Sequence, residues 1–117
     1  MKPLDRNLSI LEHMVSYCNQ IEETVHRFGN EYALFASDAI YRNAAALCIL
    51  QIGELVGKLT DEFREAHPAV PWRQIKAMRN IVAHSYGTVD PETTWEIITE
   101  DIPELKRYCS VILESHQ

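Results

Sequence analysis

The sequence predicts an all-α domain: an up-and-down four-helix bundle with a short extra helix and a kinked last helix. Three observations carry that prediction. Apolar residues recur at alternating threes and fours along the main segments, the signature of core-facing helical stripes. No segment shows the period-two alternation of a half-buried strand. Caps and breakers fall between the segments and leave short connections, which favours antiparallel neighbours.

The first helix runs from about Pro3 to Phe28. Leu4, Leu8, Leu11, Val15, Cys18, Ile21, Val25 and Phe28 form its stripe, and Gly29-Asn30 supplies the stop. The second opens near Asp38, a good N-cap, and runs to Leu59. From Ala44 to Ile52 it is apolar almost all round, so it is expected at the centre, buried on all sides. Gly53 and Gly57, four apart on one face, allow a neighbouring backbone close. Each costs about 1 kcal/mol against alanine in a helix, which argues for such a use.

Thr60-Asp61-Glu62 starts the short extra helix, with a cap and acids at its positive end, and Pro68 ends it. Pro71 opens the third main helix, with Ile75, Met78, Ile81 and Val82 facing inward and Arg73, Lys76, Arg79 and Asn80 along another face. Asp90-Pro91-Glu92 starts the fourth, whose stripe is Trp95, Ile98, Ile102, Leu105, Cys109 and Ile112. Pro103 removes one backbone hydrogen bond there and should kink or split the helix.

Length and composition set the bounds. A chain of 117 residues is one domain, 1–117, with a single core. No apolar run approaches the roughly 20 residues of a membrane span, and the N-terminus lacks a signal-peptide pattern, so a cytoplasmic protein is expected. Three scattered cysteines, Cys18, Cys48 and Cys109, fall among apolar residues without a CxxC pair and read as reduced core thiols. The net charge of −6 argues against a wide nucleic-acid footprint, though not against a small contact with locally positive potential.

One stretch carries chemistry: Arg79-Asn80-Ile81-Val82-Ala83-His84-Ser85-Tyr86. RNA cleavage without a metal needs a base for the ribose 2′-hydroxyl, an acid for the leaving 5′-oxygen, and a cation for the crowded phosphorane. Histidine titrates near neutrality and can serve as base or acid. Arginine stays charged and offers a planar fork to phosphoryl oxygens. A tyrosine can hold or orient an oxygen. Arg79 and His84 are therefore the candidate catalytic residues, with Asn80 and Tyr86 binding or orienting substrate. No cofactor or metal is called for. Each residue also has a structural reading: a solvated arginine, a histidine favoured by a helix C-terminus, a packed tyrosine.

Helical geometry raises an objection. Positions five apart leave an α-helix about 140° apart, so Arg79 and His84 do not share a face. Two answers combine in the expected arrangement: the helix loosens towards Gly87, and a twofold dimer brings two clusters to one cleft. Nearby, Gln51, Glu54 and Lys58 lie on one stripe of the second helix. Glu54 pairs with Lys58 at the favourable i,i+4 spacing in the preferred reading, or supports Arg79 from behind in the other.

Arg79-x4-His84-x-Tyr86, with a polar Asn80 after the arginine, resembles the RX4HXY motif of the HEPN superfamily, and the chain as a whole looks like the HepT toxins within it. Gln51-Ile52-Gly53-Glu54, Met78-Arg79-Asn80, Val89-Asp90, Trp95-Glu96 and Asp101-Ile102-Pro103-Glu104-Leu105 extend the likeness over nearly the full length. The resemblance implies a HEPN-like helical bundle, a homodimer with its motifs facing one cleft, and a metal-independent ribonuclease toxin acting on RNA, often tRNA. It implies a minimal nucleotidyltransferase (MntA-like) antitoxin that transfers AMP to the motif tyrosine, here Tyr86. The competing reading is a non-catalytic helical module that docks such a nucleotidyltransferase.

Overall fold

The structure, a computed structural model, describes residues 2–84 and 90–117, and at Ala83 and His84 the backbone alone. The described residues form helices α1 (Pro3–Phe28), α2 (Tyr32–Ser37), α3 (Ala39–Lys58), α4 (Asp61–Ala66), α5 (Trp72–His84), α6 (Pro91–Glu96) and α7 (Ile102–Ser115). A π-helical stretch, Ile97–Asp101, joins α6 to α7. The body measures 44 × 26 × 24 Å.

Three caps act as the sequence predicts. Asp38 accepts the backbone N–H groups of Ile40 (2.9 Å) and Tyr41 (3.2 Å) at the start of α3. Thr60 Oγ1 accepts that of Phe63 at 3.2 Å in α4, and Asp90 that of Glu92 at 3.1 Å in α6. Thr60 has a second task. Buried Asn7 donates from Nδ2 to Thr60 Oγ1 (3.1 Å) and accepts from the Thr60 N–H at Oδ1 (3.1 Å), tying the second turn of α1 to the α4 cap.

α2 is absent from the sequence reading. Six residues are too short to display a period. Tertiary contacts hold α2: Phe35 is fully buried against Tyr41 and Trp95, with ring centroids 5.0 and 5.3 Å away. Tyr41 also stacks on Phe28 and donates its hydroxyl to the Gly29 carbonyl at 3.0 Å. Gly29 sits at φ +109°, a conformation side chains disfavour, as the chain leaves α1. Arg42 donates to the carbonyls of Phe35 and Ala36, so it closes the end of α2.

α3 packs against both α1 and α5, and α7 also packs against α1. Tyr41, Ala45, Cys48, Ile49, Ile52 and Val56 of α3 are buried. By length and mean hydropathy α3 is long and apolar enough to cross a bilayer, contrary to the sequence reading, yet it forms the middle of this bundle. Nor is it buried on all sides: Ile40 is 70% and Leu47 57% exposed. The inward stripes of α1 and α5 are also narrower than predicted, since Leu4 and Ile81 are exposed. The three cysteines are free and buried, and burial pushes the Cys18 and Cys109 thiols up to about 12.

The predicted break at Pro103 takes the form of the π stretch. The Ile102 N–H reaches five residues back to the Ile97 carbonyl, and Pro103 follows in the first turn of α7, where its missing N–H does no harm. The wider turn lets both Ile97 and Ile98 face inward before Ile102, Leu105, Cys109 and Ile112 resume the stripe. Between α5 and this π–α7 segment a groove of about 610 Å³ stays open, with Ile75, Met78 and Leu105 among its walls.

Candidate functional site

The site is built where α3 crosses α5. A Cβ placed on Gly53 would lie 2.3 Å from Arg79 Cβ and 3.0 Å from its Cγ. No pair of real side chains tolerates that, so glycine at 53 is what lets the α5 backbone come close enough for the Arg79 stem to cross α3. Gly57 is different: a Cβ there would meet only Lys76 Nζ, at 3.9 Å. Of the two glycines, Gly53 makes the close approach and Gly57 opens space.

Pressed onto α3, the Arg79 guanidinium meets Glu54. Nε donates to Glu54 Oε1 at 2.6 Å, and Nη1 donates to Asn80 Oδ1 at 3.3 Å. The preferred pairing of Glu54 with Lys58 is thus corrected: the carboxylate turns across the seam to Arg79. An i,i+4 spacing offers only a few tenths of a kcal/mol, which a short charge-assisted bond to a held arginine outweighs. The pair remains solvated, with side chains 41% and 53% exposed, so it orients the guanidinium more than it stabilises the fold.

Gly53, Glu54, Gly57, Lys58, Lys76, Arg79 and Asn80 line a groove of about 270 Å³ along this seam. Two of these, Lys58 and Lys76, escaped the sequence reading as site residues. The four-residue spacing of Gly53 and Gly57 was the signal for them: it marks an uncovered strip on α3 over which α5 side chains can lean.

α5 keeps α-helical backbone as far as His84. The helix does not loosen before the histidine, and positions 79 and 84 leave its axis about 140° apart. The His84 side chain and the whole of Tyr86, with Ser85–Val89, lie outside the described residues. The structure therefore brings together Arg79, Asn80 and Glu54 from the predicted set. His13, His26, His67 and His116 stand away from this groove.

A helical bundle that holds an arginine at the crossing of two helices, with an asparagine next to it and a histidine five positions on, defines a HEPN-type domain. The profile of the family described as "Ribonuclease HepT-like" matches residues 14–112, and the chain belongs to that family. Among its relatives, a protein of Caldanaerobacter subterraneus subsp. tengcongensis provisionally named an RNase is 36% identical over 107 residues, 92% of this chain and 94% of that one. A protein of Thermococcus cleftensis, provisionally named ribonuclease HepT, is 33% identical over 86 residues, 72% of this chain and 78% of that one. A provisionally named RNase of Methanocaldococcus jannaschii is 32% identical over 82 residues, covering 70% and 75% of the two chains. No solved structure matches the chain.

Proposed function

We propose that this ribonuclease-family chain is the toxin of a toxin–antitoxin pair in the cytoplasm, cutting tRNA or mRNA without a metal. The observation that carries the proposal is Arg79 itself: a guanidinium fixed by Glu54 and Asn80 in an open groove, on the helix that also carries His84. Catalysis is largely fixed charge placed where charge develops, and a pre-oriented arginine supplies that for a phosphorane.

In the reaction, the 2′-oxygen bonds to phosphorus and gives its proton to a histidine base. The P–O5′ bond breaks, and the departing oxygen takes a proton from an acid. The products are a 2′,3′-cyclic phosphate and a 5′-hydroxyl. Two histidines suit this better than one, which favours a twofold dimer with one His84 as base and the other as acid. The exposed face of α3 supports that assembly. Ile40 and Leu47 are apolar and exposed on the stripe that continues through Gln51 to Glu54. A second copy covering the apolar end would stand beside Arg79.

Silencing follows the same logic. A nucleotidyltransferase antitoxin transfers AMP to Tyr86: the phenol oxygen bonds to the α-phosphorus of ATP, pyrophosphate leaves, and the phenol proton is lost. The new phosphodiester puts bulk and negative charge next to the cations meant for RNA.

Expression should arrest growth. Purified dimer should cleave RNA in excess EDTA to cyclic-phosphate ends, and His84→Ala and Arg79→Ala should abolish both effects. Toxicity that survives both substitutions would remove these residues from the mechanism and favour a docking module.

A further inference from the structure

We propose that Lys58 and Lys76 form a second phosphate subsite beside Arg79, holding the backbone of single-stranded RNA next to the scissile bond. The inference rests on the ribonuclease reading above and extends it to residues outside the Arg-x4-His motif. Lys58 ends α3, Lys76 lies one turn before Arg79 on α5, and both reach the same groove of about 270 Å³. Its floor at Gly57 is exposed and carries no side chain, so a phosphate can come down to the helix backbone there.

The charges in the groove are uneven. Three cations, Lys58, Lys76 and Arg79, share it with one carboxylate, Glu54, and that carboxylate is already turned to Arg79. Elsewhere on the chain, Arg27, Arg64, Lys106 and Arg107 are each answered by a carboxylate and Arg42 by two backbone carbonyls, while Lys2, Arg6 and Arg73 stand singly without an ion pair among the described residues. Lys58 and Lys76 form no ion pair among the described residues. In a protein of net charge −6, an anionic polymer needs such a local excess of positive potential. A cation at Lys58 also answers the negative end of α3. That reason does not extend to Lys76, which is mid-helix and leans over Gly57 from the other side of the seam, with Nζ 3.9 Å from where a Cβ would stand. Three residues of helix put Lys76 about 4.5 Å from Arg79 along the axis, so one strand can engage both.

The test measures binding of a short unstructured oligoribonucleotide to His84→Ala protein by fluorescence anisotropy across a salt series. Lys58→Ala and Lys76→Ala should each lower the salt slope by about 0.7, the value for one single-strand phosphate. Together they should weaken binding roughly ten-fold, irrespective of RNA sequence. Lys76→Arg should restore the slope, and Lys2→Ala, far along the chain at an exposed terminus, should not change it. A double variant that binds with the parent slope overturns the subsite. Wild-type cleavage alongside that result leaves the ribonuclease reading standing alone. A lowered slope without wild-type cleavage has the opposite meaning: the subsite holds and the nuclease reading fails. Absence of RNA binding even at low salt overturns both.

Discussion

Replacing Glu54 with glutamine keeps the size of the side chain and removes the charge that orients Arg79. Because both partners are more than a third exposed, unfolding should barely register the change, by at most about 1 kcal/mol. Cleavage should register it, since a guanidinium free to swing is no longer aimed. We expect Glu54→Gln to lower kcat on the order of ten-fold, with KM and Tm nearly constant. A parallel fall in Tm and activity would make Glu54 a structural residue only. At this scale the sequence was partly legible. Arg79 and Asn80 could be singled out because their chemistry is local to one helix. The choice of Glu54 between Lys58 and Arg79 could not, because the i,i+4 alternative is visible in sequence and the crossing of α3 with α5 is not. The same crossing hid Lys58 and Lys76.

Between elements, the α3–α5 seam makes opposite demands on two similar glycines. Gly53→Ala would drive a Cβ into the Arg79 stem, with the nearest atom 2.3 Å away. The helices must part, which overpacking precedents put at about 1–3 kcal/mol of stability, and Arg79 moves with them. Gly57→Ala meets only the tip of a lysine at 3.9 Å and should stabilise the helix by up to about 1 kcal/mol. Thermal unfolding of the two variants should shift in opposite directions. Equal destabilisation would mean that Gly57 too lies under a close contact. The elements with strong caps, those begun by Asp38, Thr60 and Asp90, could be read directly, because a cap is a short-range signal. α2 could not, because Phe35 is helical through its burial against Tyr41 and Trp95 and not through any repeat.

For the molecule as a whole, the acidic balance has a local cost. Asp101, at the end of the π stretch, has its carboxyl raised above the ordinary value, first by burial and then by Glu96, Glu100 and Glu104. A carboxylate raised on folding binds its proton more tightly in the native state. Its contribution is therefore most favourable below the unfolded value and is lost as pH rises through the folded one. Asp101→Asn should raise Tm at neutral pH, and the gain should shrink as pH falls through the carboxylate range. A gain independent of pH would assign it to packing. The π stretch has a further consequence for how α7 is set. One wide turn in a regular helix acts as a one-residue spacer, and each residue of an α-helix turns the chain by about 100°. Removing a single residue between Ile97 and Asp101 would let the segment close into an unbroken α-helix with α7 still facing α1. Closing it with every residue kept would instead turn the whole of α7 by about that angle, swinging Leu105, Cys109 and Ile112 off α1. The rotational setting of the last helix, and with it one side of the core, rests on the wide turn that absorbs a single surplus residue.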